Sequence, residues 1–227
     1  MNGLGTFSLV DVADKPVPCA IQWIADAADW KFAKQWAKGQ PEMSDPRIKD
    51  SIDYALTGSK RWQWLKGENS CVGNAADAAE RIKKDPATEF AFAFSLSTNS
   101  GGGQQVIGFC YARRLWLGNV CLEFLGTNNM QGVSGIGSLL LYAVADAARR
   151  FRAVEIWGEC TLGSQGFYRK TKAKLLYGEL RDALKGGSSN AKYPVGWQLP
   201  GAIDDRFVFN RQEIVLMSEL LRAKKSH

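Results

Sequence analysis

The sequence predicts an α/β protein with a mixed, mostly antiparallel central sheet flanked by helices. Three observations carry this expectation. EFAFAFSLST (Glu89 to Thr98) alternates Phe90, Phe92, Phe94 and Leu96 with small residues, the period of a half-buried strand. Two more strand-like runs follow, QVIGFCYARRLWL (Gln105 to Leu117) and VCLEFLGT (Val120 to Thr127), separated by turn residues. A turn carrying Gly132, Gly135 and Gly137 then opens a long amphipathic helix that leads into AVEIWGECT (Ala153 to Thr161). Strand, helix, strand in that order implies a parallel crossover.

The elements read as follows. The first third, residues 1–86, is expected to be helical. Ala25 to Lys38 places Trp30, Ala33 and Ala37 on one face and stops at Gly39 and Pro41. A second helix spans about Pro46 to Leu56, and a third about Asn74 to Lys84, ahead of Asp85-Pro86. The core, residues 87–182, begins with the meander, whose turns fall at NSGGG (Asn99 to Gly103) and Gly118-Asn119. In the long helix Ile136, Leu139, Leu140, Ala143, Val144, Ala147, Ala148 and Phe151 recur at three- and four-residue steps, and Arg149, Arg150 and Arg152 close its C-terminal end. Ser164 to Lys172 reads as a short helix and Leu175 to Leu180 as a strand. The last part, residues 183–227, holds an irregular loop (Gly186 to Gly201), a strand (Arg206 to Asn210) and a C-terminal helix (Gln212 to Lys224). A single domain is expected over residues 1–227.

The bulk numbers bound the chemistry. At 227 residues the chain can bury a core without staples. The net charge of +6 is spread along the chain, as on a solubilising surface, and it would also suit a polyanionic cofactor. The five cysteines (Cys19, Cys71, Cys110, Cys121, Cys160) lack CxxC spacing and read as buried thiols. No secretory signal and no membrane-length apolar run is present, so a cytoplasmic setting without membrane contact is expected. The single histidine is the last residue, His227, which excludes Ser-His-Asp and Cys-His catalysis within the chain.

The glycine turn is where chemistry is most legible. A strand, a turn and a helix start place unpaired N–H groups and a positive helix end together, a site for phosphate or pyrophosphate. A dinucleotide-binding fold is the competing reading, but Gly132, Gly135 and Gly137 do not spell G-x-G-x-x-G and an antiparallel meander precedes them.

With Gly135-Ile136-Gly137 ahead of the long helix, and Phe167-Tyr168 in the short one, the order of elements resembles the GCN5-related N-acetyltransferase (GNAT) superfamily over about Glu89 to Leu180. The chain looks like a divergent member. Gln131 stands one place too far from Gly135, and Lys172-Ala173 replaces the family's Gly-Phe. The resemblance implies an acetyl-CoA pyrophosphate on the amides of Val133, Ser134, Gly135, Ile136, Gly137 and Ser138. It also implies a pantetheine arm along Phe124, Leu125 and Gly126, where the central strands splay. It implies acetyl transfer from acetyl-CoA to an amine, with Tyr168 as the acid toward the CoA sulfur.

Glu123 is the base candidate, a carboxylate among apolar strand residues, and strand alternation puts it with Cys121 and Leu125, opposite Leu122 and Phe124. Glu159 is the second choice, and for either an ion pair with Arg113 or Arg114 is the competing role. Cys160 has no histidine to activate it as a nucleophile. Tyr168 and Phe167 have packing as their competing role. Trp62, Trp64, Tyr193 and Trp197 are candidate walls for the acceptor, which remains open among a small molecule, a protein amine and an aminoacyl-tRNA. A homodimer is compatible. Two other readings stand beside the enzyme: a non-catalytic protein of the same fold, and a basic RNA-binding protein resting on SKRWQWLKG (Ser59 to Gly67), with nucleic acid not favoured as partner.

Overall fold

A computed structural model describes residues 3–24, 60, 70–100, 103–115, 118–128, 132–160, 164–172, 175 and 206–225. The helices expected at Ala25 to Lys38 and Pro46 to Leu56, the Ser59 to Gly67 stretch apart from Lys60, and the Gly186 to Gly201 loop lie outside the described residues. So do Trp62, Trp64, Tyr193 and Trp197.

The expected α/β class is observed. Among the described residues one seven-stranded sheet runs in sequence order. Its strands are β1 (Gly3–Val10), β2 (Pro16–Trp23), β3 (Phe90–Ser100), β4 (Gly103–Arg114), β5 (Val120–Thr127), β6 (Glu155–Glu159) and β7 (Arg206–Asn210). Neighbours are antiparallel except β5 and β6, which are parallel as the crossover demands. The helices are α1 (Ala75–Lys84), α2 (Ile136–Arg150), the short α3 (165–172) and α4 (Arg211–Ala223).

Two expectations need correction. Residues 3–23, expected within a helical third, form the β1–β2 hairpin, so the meander has five strands instead of three. Phe7 and Leu9 are buried while Ser8 and Val10 face out, which is the strand period. Pro16 and Pro18 of β2 stand opposite Val10 and Ser8 of β1, and Pro18 turns its carbonyl toward β3, where Thr98 Oγ1 donates to it. The missing N–H thus faces the side where the β3 ladder begins only at Cys19. Leu175, expected to open a strand, is helical, and 176–180 lie outside the described residues.

The sheet has two faces with unequal cover. One carries α2 and α4, and the main apolar cluster there includes Phe92, Phe94, Leu122, Leu140, Val144, Phe207 and Met217. Trp23, Phe90, Phe92 and Phe151 interlock edge-on at the end of α2, with Phe90 and Phe151 centroids 5.2 Å apart at 85°. The other face buries a smaller cluster of Ile24, Ala91, Ala93, Phe109, Tyr111 and Phe124. Cys110 and Cys121 are buried as expected, while Cys160 is partly exposed. No described helix is long and apolar enough to cross a membrane.

Candidate functional site: the glycine turn and the end of β5

The first feature of the site is the end of a short parallel ladder. Among the described residues β5 and β6 pair at Val120 with Ile156 and Cys121 with Trp157. β5 runs on to Thr127, so Phe124, Leu125 and Gly126 lie past those described pairs. On its other side β5 stays bonded to β4.

The second feature is a bulge at Glu123. Ala112 pairs with Leu122 and Tyr111 with Phe124, so Glu123 is an extra residue opposite none of its own. This corrects the simple alternation. Leu122 belongs to the α2 face and Phe124, two places on, to the opposite face, with Leu125 back against the α2 cluster. Glu123 accordingly does not share a face with Leu125. Its carboxylate forms an ion pair with Arg113, which stands opposite Cys121 in the ladder. The Cys121 thiol is pushed up to about 11, chiefly by burial and further by the Glu123 charge, against the opposing pull of Arg113. It is therefore a packed thiol and no thiolate nucleophile. Glu159 sits exposed at the end of β6, 3.9 Å from Arg206.

The third feature is the start of α2. Gly135 occupies its cap position at φ 85°, a left-handed conformation that glycine adopts without strain. No side chain caps this end, and its first turn holds no acidic residue. Leu139 N–H reaches Gly135 O at 3.0 Å, so Ile136, Gly137 and Ser138 are the helix positions whose N–H groups have no intrahelical acceptor. Ser134 differs from the expectation. Its N–H donates to Val10 O at 3.0 Å, and its hydroxyl leans on the same oxygen at 3.4 Å. The cradle amides are thus narrowed, with Ser134 spent on holding the turn to β1. Val133 is partly buried and packs against the main core.

α3 stands on the third side of the site. A Cβ at Gly137 would lie 3.4 Å from Phe167 Cε2 and 3.5 Å from Leu125 Cδ2, so these two side chains meet over the first turn of α2. Phe167, expected to pack in the core, does so against the main cluster, and its ring also faces the glycine turn. The signal for it in the sequence was its adjacency to Tyr168. Tyr168 itself is buried, and its ring stacks on Phe207 of β7 with centroids 3.9 Å apart at 11°. Lys172 fixes the far end of α3 by donating to Val208 O at 2.7 Å, with Glu213 3.7 Å away.

The structure thus brings Leu125, Gly137 and Phe167 together, places Phe124 and Gly126 near the end of β5, and leaves Glu123 paired with Arg113. The arrangement sets amides without an intrahelical acceptor, and a positive helix end, beside the end of β5.

No protein-family model matches the chain, and no curated protein sequence does. Solved structures match it in part, and those described next are acetyltransferases. Nourseothricin acetyltransferase shares 20% identity over 38% of this chain, at a TM-score of 0.32; the match spans 49% of that protein's length. GCN5 from Tetrahymena shares 12% identity over 74% of this chain and 77% of its own, at 0.36. PaiA N-acetyltransferase from Thermoplasma acidophilum, solved in complex with coenzyme A, shares 14% over 67% of this chain and 87% of its own, at 0.37. These likenesses concern the fold, and no residue role is carried over from them.

Proposed function

We propose that the protein is an acyl-CoA-dependent N-acetyltransferase, moving an acetyl group from acetyl-CoA to an amine by direct attack. The observation that carries this reading is the start of α2, which opens on left-handed Gly135 with no side-chain cap and no acid in its first turn. The pyrophosphate of acetyl-CoA would lie on the amides of Ile136, Gly137 and Ser138, with Gly135 and Val133 shaping the turn and Ser134 anchoring it. The pantetheine arm would run along Phe124, Leu125 and Gly126, at the end of β5 where Leu125 meets the first turn of α2.

Acetyl-CoA supplies an activated thioester, and the chain supplies position and proton control. Tyr168 is the proposed acid at the leaving sulfur. Its ring is stacked on Phe207 and its helix is tied down by Lys172, so the phenol is held in one place. Glu123 is the proposed base for the attacking amine, lifted out of the ladder by the bulge and oriented by Arg113. A specific observation favours a second reading, a protein that binds CoA without turnover: the Glu123 carboxylate is already engaged by Arg113.

The test is thermal unfolding with acetyl-CoA and with desulfo-CoA, followed by a thiol-release screen of amines. Ligand at about 100 times its Kd adds roughly 2.7 kcal/mol. A shift with both ligands and thiol release with an amine supports the enzyme. A shift without release for any amine supports the binding protein, and no shift overturns both. In an active enzyme Tyr168→Phe lowers kcat and leaves CoA affinity nearly unchanged.

A further inference from the structure

The glycine turn has two flanks. Gly137 faces Leu125 and Phe167, the flank of β5 and α3. The other flank faces the tip of the β1–β2 hairpin. A Cβ at Gly135 would lie 3.3 Å from Leu9 Cδ2, and one at Gly132 would lie 3.1 Å from Val12 Cγ1. The bond from Ser134 N–H to Val10 O clamps hairpin and turn together.

The tip is built to be rigid. Asp11 Oδ1 accepts from the amides of Ala13 at 2.8 Å and Lys15 at 2.9 Å. Asp11 N–H donates to Lys15 O at 3.0 Å, and Asp14 N–H to Asp11 O at 3.1 Å. On this fixed tip Val12 is 88% exposed, the most exposed large apolar side chain among the described residues. An aliphatic group held in water beside the turn proposed to hold the pyrophosphate suits the flat apolar face of a nucleotide base.

We infer that the β1–β2 hairpin tip is the subsite for the adenine end of the cofactor, with Val12 as its apolar shelf. The inference rests on the acyl-CoA reading above. The pyrophosphate of CoA joins the pantetheine arm to the nucleotide. With the arm on the β5 flank of the turn, the nucleotide leaves by the hairpin flank, where Val12 stands.

Calorimetric titration of the whole chain with desulfo-CoA and with phosphopantetheine, which lacks the nucleotide, tests this. Val12→Asn, which removes the apolar contact without adding charge, should weaken desulfo-CoA by about tenfold. Val12→Leu should keep wild-type affinity, and neither variant should change phosphopantetheine binding. The side chain is in water, so both variants should unfold at the wild-type temperature. Unchanged desulfo-CoA affinity in Val12→Asn overturns the subsite while the acyl-CoA reading stands. So does an equal loss for phosphopantetheine, which would mean that the hairpin acts only through the shape of the turn. If the wild-type protein binds neither ligand, the acyl-CoA reading fails and the subsite with it.

Discussion

α2 and α4 pack against each other and begin in opposite ways. α4 opens with a reciprocal cap: Asn210 Oδ1 accepts Glu213 N–H at 3.0 Å, and Glu213 Oε2 accepts Asn210 N–H at 2.8 Å. α2 opens on a left-handed glycine with no side-chain cap and no acid in its first turn. A cap is worth about 1 kcal/mol, so α2 forgoes stability that α4 takes. What α2 lacks at its start it gains near its end. Asp146, buried, accepts Ser218 Oγ at 2.8 Å and Arg150 Nε at 2.8 Å, with Arg222 of α4 at 3.5 Å. One end of the helix is fastened to its neighbour and the other carries no side-chain cap.

The largest expected effect lies at the fastened end. Asp146→Ala leaves a buried hydroxyl and two guanidinium groups without their shared acceptor, and should cost about 3 kcal/mol. Urea unfolding measures it. The same variant should keep the CoA-induced increment in stability, because the open end is untouched. A loss below about 1 kcal/mol would mean that the exposed arginines re-solvate freely and that the contrast between the two ends is smaller than drawn.

The open end has the next largest effect. Gly135→Asp puts a carboxylate where the pyrophosphate is proposed to sit. Strain from the left-handed backbone, about 1–2 kcal/mol, is partly offset by an anion at a helix N-terminus, worth about 0.3–1 kcal/mol. Stability without ligand should therefore move by about 1 kcal/mol, while the roughly 2.7 kcal/mol gained with saturating CoA should vanish. A retained gain in a thermal-shift measurement would place the pyrophosphate elsewhere.

The same contrast separates what the sequence could and could not reveal. α2, β3, β4, β5 and the parallel step to β6 were legible because their apolar periods are long and uninterrupted. The β1–β2 hairpin was not, although Phe7 and Leu9 alternate with Ser8 and Val10. Pro16 and Pro18 disguise β2, and only knowing that β3 pairs from Cys19 onward removes that objection. The open start of α2 was visible in Gly135 and Gly137. That Ser134 is held by Val10 depends on a residue more than a hundred places away, which no local pattern encodes. Glu123 stood out as a charge in an apolar strand. Its bulge, which decides which face it takes, leaves the strand period unmarked.

The smallest expected effect sharpens the comparison from the capped side. Asn210→Ala makes the start of α4 resemble that of α2 by removing the acceptor for Glu213 N–H, at a cost of about 1 kcal/mol. Glu213 would keep its bond to the Asn210 backbone N–H and its proximity to Lys172, so the loss should stay local. Hydrogen exchange should quicken at Glu213 and Ile214 and stay unchanged in α2. CoA affinity should stay at the wild-type value, since the start of α4 follows β7 and lies outside the proposed site at α2 and β5. Weakened CoA binding in this variant would show that α4 shapes the site through α3. The open end of α2 would then depend on the capped end of α4 instead of standing apart from it.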